Sequence, residues 1–335
     1  MLVDPPETAP GSAFLAGGGR LGEIIAAFNW EQTPLGAIEN WPTSLKTTVA
    51  LMLRSPVPIV TLWGEQGTMI YNDAYSVFAA NRHPRLLGSA VREGWPEVAD
   101  FNDNIMKVVL AGDTLSYRDF GLVLYRSGAP ESVWMNLDYS PVIGENGKPI
   151  GVIAIVVETT EAHNAIGSLR ENEARLQFLD TLGKETARSV DADAILATTT
   201  RMVGEHLGVA TCAYADMDPD QDGFTIRGDW AAPGAAHIVG HYRLADFGKR
   251  AVDDLCAGRP FVVNDVVAEL SADDAAPFQS MGIGAALCMP LVKEGRLTAL
   301  MAIHYQGPHF WTANEMALIT EVTERSWAHI ERVRS

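Results

Sequence analysis

The side chains best able to do chemistry in this sequence are a run of carboxylates and three scattered thiols. Asp216, Asp218, Asp220 and Asp222 alternate through the stretch DMDPDQDG, the spacing by which a tight turn offers several oxygens to calcium. Counted from Asp218, the sixth place is Gly223, but the twelfth is Asp229 where a calcium loop uses a bidentate glutamate. The stretch therefore reads as a solvated hairpin turn. Cys212, Cys256 and Cys288 form no CxxC pair and have no histidine at metal-ligand spacing, which argues against a structural zinc site or a disulfide framework. They read as small buried hydrophobes, Cys288 above all within AALCMPL. The sequence has no glycine-rich phosphate loop with a following lysine, no G-x-S-x-G and no H-E-x-x-H. It predicts no catalytic residues and no metal site, and leaves binding as the chemistry to look for.

Composition narrows the partners. The 335 residues suggest two domains, each with its own core. Against 25 basic residues stand 42 acidic ones, a net charge of -17, which repels nucleic acids and anionic membranes. The longest apolar runs, such as residues 152–157, are too short to span a bilayer, and residues 1–19 lack the basic start of a signal peptide. The expected compartment is the cytoplasm.

Residues 1–19, rich in Pro, Gly and Ala, read as a flexible leader. Short helices are expected over 20–29 and from Trp41-Pro42 to about Arg54, ended by Pro56 and Pro58. Strand texture follows in VPIVTLW and TMIYN, then a helix opened by Asn72-Asp73, a helical segment within 88–112, and strand-like runs at 115–125, 131–141 and 149–158 separated by SGAP and GENGK turns. The last strand feeds a helix over 161–187, with Leu169, Leu176, Leu179 and Gly183 along one stripe. A second globular pattern then begins: a helix over 191–207, strands TCAYADM and FTIRGDW, a helix near 247–257, the strand PFVVNDV, paired strands GAALCMPLV and LTALMAIHY, and a closing helix from Thr312 with Ile319, Val322, Ser326, Ile330 and Val333 on one side. That last helix keeps its period to Ser335, and His329 within it reads as a surface histidine.

Several ordered phrases carry a family resemblance. W-E-Q-T-P-L-G-x-x-E-x-W-P-x-S-L (Trp30 to Leu45), L-W-G (from Leu62), Y-N-D-A-Y (from Tyr71), H-P-x-x-L-G (from His83) and E-T-T (from Glu158) resemble the PAS sensor region of bacterial multi-sensor histidine kinases. A-G-R-P-F-V-V-N-D-V (from Ala257), C-M-P-L-V-K-E-G-R-L (from Cys288) and H-F-W-T-x-x-E (from His309) are similar to GAF domains found beside that PAS type. The resemblance implies an α+β chain of two domains: a PAS-like five-stranded antiparallel sheet over 20–160 and a GAF-like antiparallel sheet with flanking helices over 188–335, joined by a long connecting helix. It also implies a cavity in each. Candidates to line the first are Trp63, Tyr71, Trp95, Phe101, Tyr117, Trp134 and Asn136; candidates to line the second are Arg227, Trp230, Tyr242, Phe247, Phe278, Met281 and His304. For any one of them, a filled core is the competing reading.

The layout also resembles the PAS-GAF part of bacteriophytochromes, which attach a bilin through a cysteine ahead of the PAS domain. The first cysteine here is Cys212, so neither a covalent bilin nor LOV-type flavin chemistry is expected, and the identity of any bound cofactor stays open. A cyclic nucleotide is disfavoured because Asn264 is followed by Asp265 and Phe278 lacks the acidic pair that such GAF domains carry four residues on. The resemblance implies a sensory input module of a two-component signalling protein, acting as a homodimer that passes a change along its helices to a downstream kinase domain or response-regulator pathway, with a small-molecule ligand and without kinase catalysis in this chain. The alternatives are a free-standing regulatory or scaffold protein acting on a partner kinase and, from a different class, a GAF-type thiol reductase using Cys256 or Cys288.

Overall fold

The computed structural model describes residues 12–334, which divide into two compact units on either side of the step from Gly167 to Ser168. Of the expected leader, residues 1–11 lie outside the described residues. Ala13–Leu15 is not loose: it forms a 3-10 turn whose Leu15 is buried in the same core as Leu53.

In the first unit α1 (Gly19–Ala27) and α2 (Thr43–Leu53) precede a five-stranded antiparallel sheet. Its strands are β1 (Ile59–Trp63), β2 (Thr68–Tyr71), β3 (Leu115–Leu124), β4 (Glu131–Ile143) and β5 (Pro149–Glu158), in the order β2-β1-β5-β4-β3. Between β2 and β3 lie α3 (Asp73–Ala79), α4 (Val91–Gly94) and α5 (Ala99–Leu110). Every residue of β1 and β2 is buried, because α3 to α5 cover one face while α2 covers the other, where the Thr61 hydroxyl reaches the Met52 sulfur. The Y-N-D-A-Y phrase has a structural cause. The Asn72 amide donates to the carbonyls of Met52, Ser55 and Val57, and its oxygen accepts from Ile59 N and Tyr75 N, so one buried side chain ties the end of α2 and the start of β1 while capping α3. Asp73 accepts from the backbone of Arg20 and Leu21 and so caps α1 from 52 residues away. A side chain at Gly19 would collide with that carboxylate.

β5 runs into α6 (Thr160–Thr186) with one residue between them. In the second unit α7 (Ala192–Leu207) leads to a six-stranded antiparallel sheet of β6 (Thr211–Met217), β7 (Gly223–Ala231), β8 (Gly240–Arg243), β9 (Phe261–Val263), β10 (Ala285–Lys293) and β11 (Arg296–Tyr305), ordered β8-β7-β6-β11-β10-β9. α8 (Lys249–Cys256), α9 (Val266–Glu269) and α10 (Ala272–Ser280) are inserted around β9, and α11 (Ala313–Arg334) closes the chain. The fold class is therefore the expected one, two antiparallel sheets with a long helix after the first.

One face of the second sheet packs against helices: Cys212, Leu287, Met301 and Ile303 meet Leu179, Leu182, Val203, Ile319 and Val322. The other holds a separate cluster with Phe247, Phe261, Phe278, Cys288 and Ala302. The H-F-W-T-x-x-E phrase is a capping box: Thr312 Oγ1 accepts from Glu315 N, and Glu315 accepts from Thr312 N and meets His309. The stripe expected on α6 splits. Leu169 and Leu176 are 68% and 57% exposed, whereas Leu179 is buried with Leu182, because this half of the helix turns a different side to the sheet. Among the described residues no helix is long and apolar enough to cross a membrane.

Candidate functional site

Strand alternation decides which side chains can reach each cavity. On β4, Val133, Met135, Leu137 and Tyr139 are buried while the residues between them face the other way. Together with Val60, Leu62, Ala154 and Val156 on neighbouring strands, and Trp95, Phe101 and Asn102 from the helical side, Met135, Leu137 and Tyr139 enclose a cavity of about 50 Å³. Of the seven candidates, Trp95 and Phe101 line it. Trp95 donates to the Tyr75 hydroxyl and carries the Arg82 guanidinium on its ring, 4.6 Å from the centroid. Tyr71 and Tyr117 do not line it: Tyr71 bonds His83 Nδ1 at 3.0 Å, and Tyr117 packs on Phe101 and Phe120. Trp63 lies on the opposite face, bonded to Thr61 Oγ1 and lying over Gly151.

Trp134 and Asn136 also face away from the cavity, and they hold the first turn of α6. The Trp134 ring stacks on His163 with centroids 3.7 Å apart and planes 10° from parallel. Its amide donates to Thr160 Oγ1 and its carbonyl accepts from Thr159 N. Asn136 accepts from Asp119 N, at a bulge in β3 where Asp119 adopts φ +46°, and the Asp119 carboxylate takes His163 Nδ1 and the Thr159 hydroxyl. Beside this, Arg126 joins Glu131 to Glu158, the last residue of β5, one residue before the helix. A wide cleft of about 480 Å³ also borders Arg82, Arg85 and Arg126, but Arg82 is committed to Glu97 and Arg126 to its two glutamates.

In the second unit a cavity of about 40 Å³ is enclosed by apolar side chains, with Tyr242, Phe247, Phe278, Met281 and His304 of the seven candidates lining it. Alanines at 213, 215, 286 and 302 face this side of the sheet, and Ala302 lines the cavity. Arg227 is exposed and pairs with Asp216, and Trp230 packs on the helical face against Gly204. His304 is 5% exposed, and its Nδ1 lies 3.0 Å from the Thr211 hydroxyl. Burial lowers its pKa to about 4, so the ring is neutral. Burial pushes the Cys288 thiol, also on the cavity wall, up to about 12, and raises Cys212 as well.

Asp229, weighed in the sequence only as the twelfth place of a calcium loop, has a role that sequence reasoning missed. Its carboxylate is almost fully buried and accepts from Ile238 N and His237 Nδ1, pinning the segment that leads into β8 and covers the cavity. Only an isolated Asp on a strand signals this role. The other carboxylates of the acidic run serve the hairpin: Asp220 accepts from Asp222 N and Gly223 N, and Asp222 accepts from Ala245 N and Arg243. Among the described residues no group of three His, Cys, Asp or Glu is placed to hold a metal. His329 is half-buried in a groove between the ends of α6 and α11, not on the open surface.

A family model described as PAS fold matches residues 54–164, and one described as GAF domain matches residues 191–330; the chain carries both domains in that order. No curated protein matches it. Among solved structures, the chromophore-binding domain of a Stigmatella aurantiaca bacteriophytochrome is similar at 12% identity and a TM-score of 0.45, covering 83% of this chain and 98% of that one. That of an unusual bacteriophytochrome from R. palustris is similar at 11% identity and a TM-score of 0.45, covering 84% and 95%. The PixJ GAF domain of Thermosynechococcus elongatus is similar at 21% identity and a TM-score of 0.39, covering 43% and 87%.

Proposed function

We propose that this chain is the sensory input part of a bacterial two-component signalling protein, in which a small molecule changes the packing of a cavity and the long helices carry the change onward. The observation that carries the reading is the junction of β5 with α6. The PAS-fold sheet passes into the helix with one residue between them, and Trp134, Asn136 and Asp119, on the sheet face opposite the cavity, hold the helix's first turn. In the GAF domain the cavity and the packing of α6, α7 and α11 likewise occupy two faces of one sheet. A shift of strands around either cavity then reaches a helix through a single layer, and a packed layer has few intermediate states. The exposed Ile166, Leu169 and Leu176 on α6 offer a surface to a second copy. The downstream partner is a kinase domain or response-regulator pathway, and a free-standing regulator that acts on a separate kinase is the second form of the same reading.

Burial counts against the thiol-reductase alternative at Cys288 but not at Cys256. Cys212 and Cys288 sit in clusters on opposite faces of the sheet, each a protonated thiol at neutral pH. Cys256 is exposed. The test compares native and denaturing mass spectra and the visible absorption of one purified sample, then hydrogen exchange along α6 and α11 with the retained molecule present and removed. Changed protection in either helix supports the relay. A ligand whose removal leaves both helices unchanged refutes it.

A further inference from the structure

The wall of the GAF cavity restricts what it can hold. None of the side chains lining it carries a formal charge, and their polar atoms are few. The Tyr242 hydroxyl is already spent on the Ile238 carbonyl at 2.9 Å, and the Cys288 thiol is a weak donor. His304 uses Nδ1 on Thr211, and its Nε2 makes no protein hydrogen bond among the described residues. The one arginine expected here, Arg227, is exposed and paired with Asp216. A carboxylate or phosphate entering this space would shed its hydration and meet no cation, which costs several kcal/mol by continuum and experimental measures.

Resting on the sensory reading above, we propose that this cavity binds a neutral, mostly hydrocarbon molecule with one hydroxyl or carbonyl oxygen that hydrogen-bonds His304, and that it rejects carboxylates and phosphates. Because its ring is neutral, His304 offers such an oxygen one directional bond and no charge. The present void of about 40 Å³ has room for only a few waters, so a ligand of ring size enters as the covering segment moves. That segment contributes Ile238, Tyr242, Leu244 and Phe247 and is held at its base by Asp229 and Asp222. Binding thereby acts on β8, an edge strand of the sheet.

The class is tested on the full chain with three probes of one shape: benzyl alcohol, toluene and benzoate. Methyl-labelled methionine places a reporter in the cavity at Met281, and the Met301 methyl, on the opposite face of the sheet, reports that the fold is intact. Benzyl alcohol is expected to shift the Met281 methyl saturably, toluene more weakly and benzoate not at all. His304→Phe keeps the ring and removes the nitrogen, and should weaken benzyl alcohol by about fivefold, the loss of one neutral hydrogen bond, while leaving toluene unchanged. Ala302→Val fills the floor and should abolish every shift. Benzoate binding as tightly as benzyl alcohol, with loss in Ala302→Val, overturns the ligand class but leaves the cavity as a sensing site. Benzyl alcohol indifferent to His304→Phe overturns the assigned bond. No Met281 shift from any probe overturns both the class and the cavity's sensing role.

Discussion

Replacing His163 with alanine removes the side chain that clamps the first turn of α6 to the outer face of the PAS-fold sheet. Two interactions go with it. The stack on Trp134, at 3.7 Å and 10°, contributes about 0.5–1.5 kcal/mol beyond the area it buries. The pair with Asp119 joins a side chain 33% exposed to one 52% exposed, so solvent screening limits it to about 0.2–1 kcal/mol. Together they stabilise the turn by about 0.7–2.5 kcal/mol, a factor of about 3 to 70 in its opening equilibrium. Hydrogen exchange on the full chain should show that loss of protection in peptides covering 160–168 and little change in β1, β2 or α5. His163→Phe keeps the stack without the carboxylate partner and should fall between alanine and the native residue. A loss under twofold, or an equal loss throughout β4 and β5, would refute the idea that the helix start is held locally by this clamp.

Asn72→Ala strips five hydrogen bonds from three segments at a fully buried position and should cost at least about 3 kcal/mol, read as a lower urea midpoint for the first unit. His304 gives the second unit an acid sensitivity. The unfolded chain binds its proton below about pH 6.5 and the native chain only below about 4, so the stability is full above 6.5 and falls as pH drops towards 4. The loss approaches about 3 kcal/mol in urea titrations across that range, and His304→Phe should remove this part of the slope. Gly204→Ala would gain helix propensity in α7, yet its methyl would fall within the Trp230 ring. Overpacking at about 1–3 kcal/mol should win, lowering the melting temperature of the second unit while the first is unchanged.

The sequence showed the elements better than the directions of their side chains. The ordered phrases had local causes that a reader can state in advance, such as the Asn72 cap and the Thr312–Glu315 capping box. Cavity residues were harder. Trp134 and Asn136 have the right types, an aromatic ring and an amide, but strand parity places them on the face opposite Met135 and Leu137. Trp63 and Trp230 fail for a different reason: both faces of their sheets are covered, so neither alternation nor hydrophobicity tells the cavity side from the helix side. Five of the seven GAF candidates reach the cavity because they fall on the covering segment, the inserted α10 and its following turn, or the cavity face of β11, where large side chains converge. Asp229 escaped because its partners, His237 and the Ile238 amide, belong to a loop with no pattern of its own.

The double covering of β1 and β2 also bears on how this protein can be cut. The PAS-fold match begins at residue 54, just after α2 ends. A fragment starting there would leave behind Leu21, Ile25, Trp30, Trp41, Leu45, Val49 and Met52, which belong to the same core as Trp63 and Ile70. It would bare the α2-covered side of the β1–β2 pair and strand the Asp73 carboxylate whose partners are Arg20 and Leu21. Such a piece presents an apolar sheet face to solvent and should self-associate rather than fold. The boundary that a family pattern draws around recognisable residues is thus narrower than the boundary of the body that packs around one core.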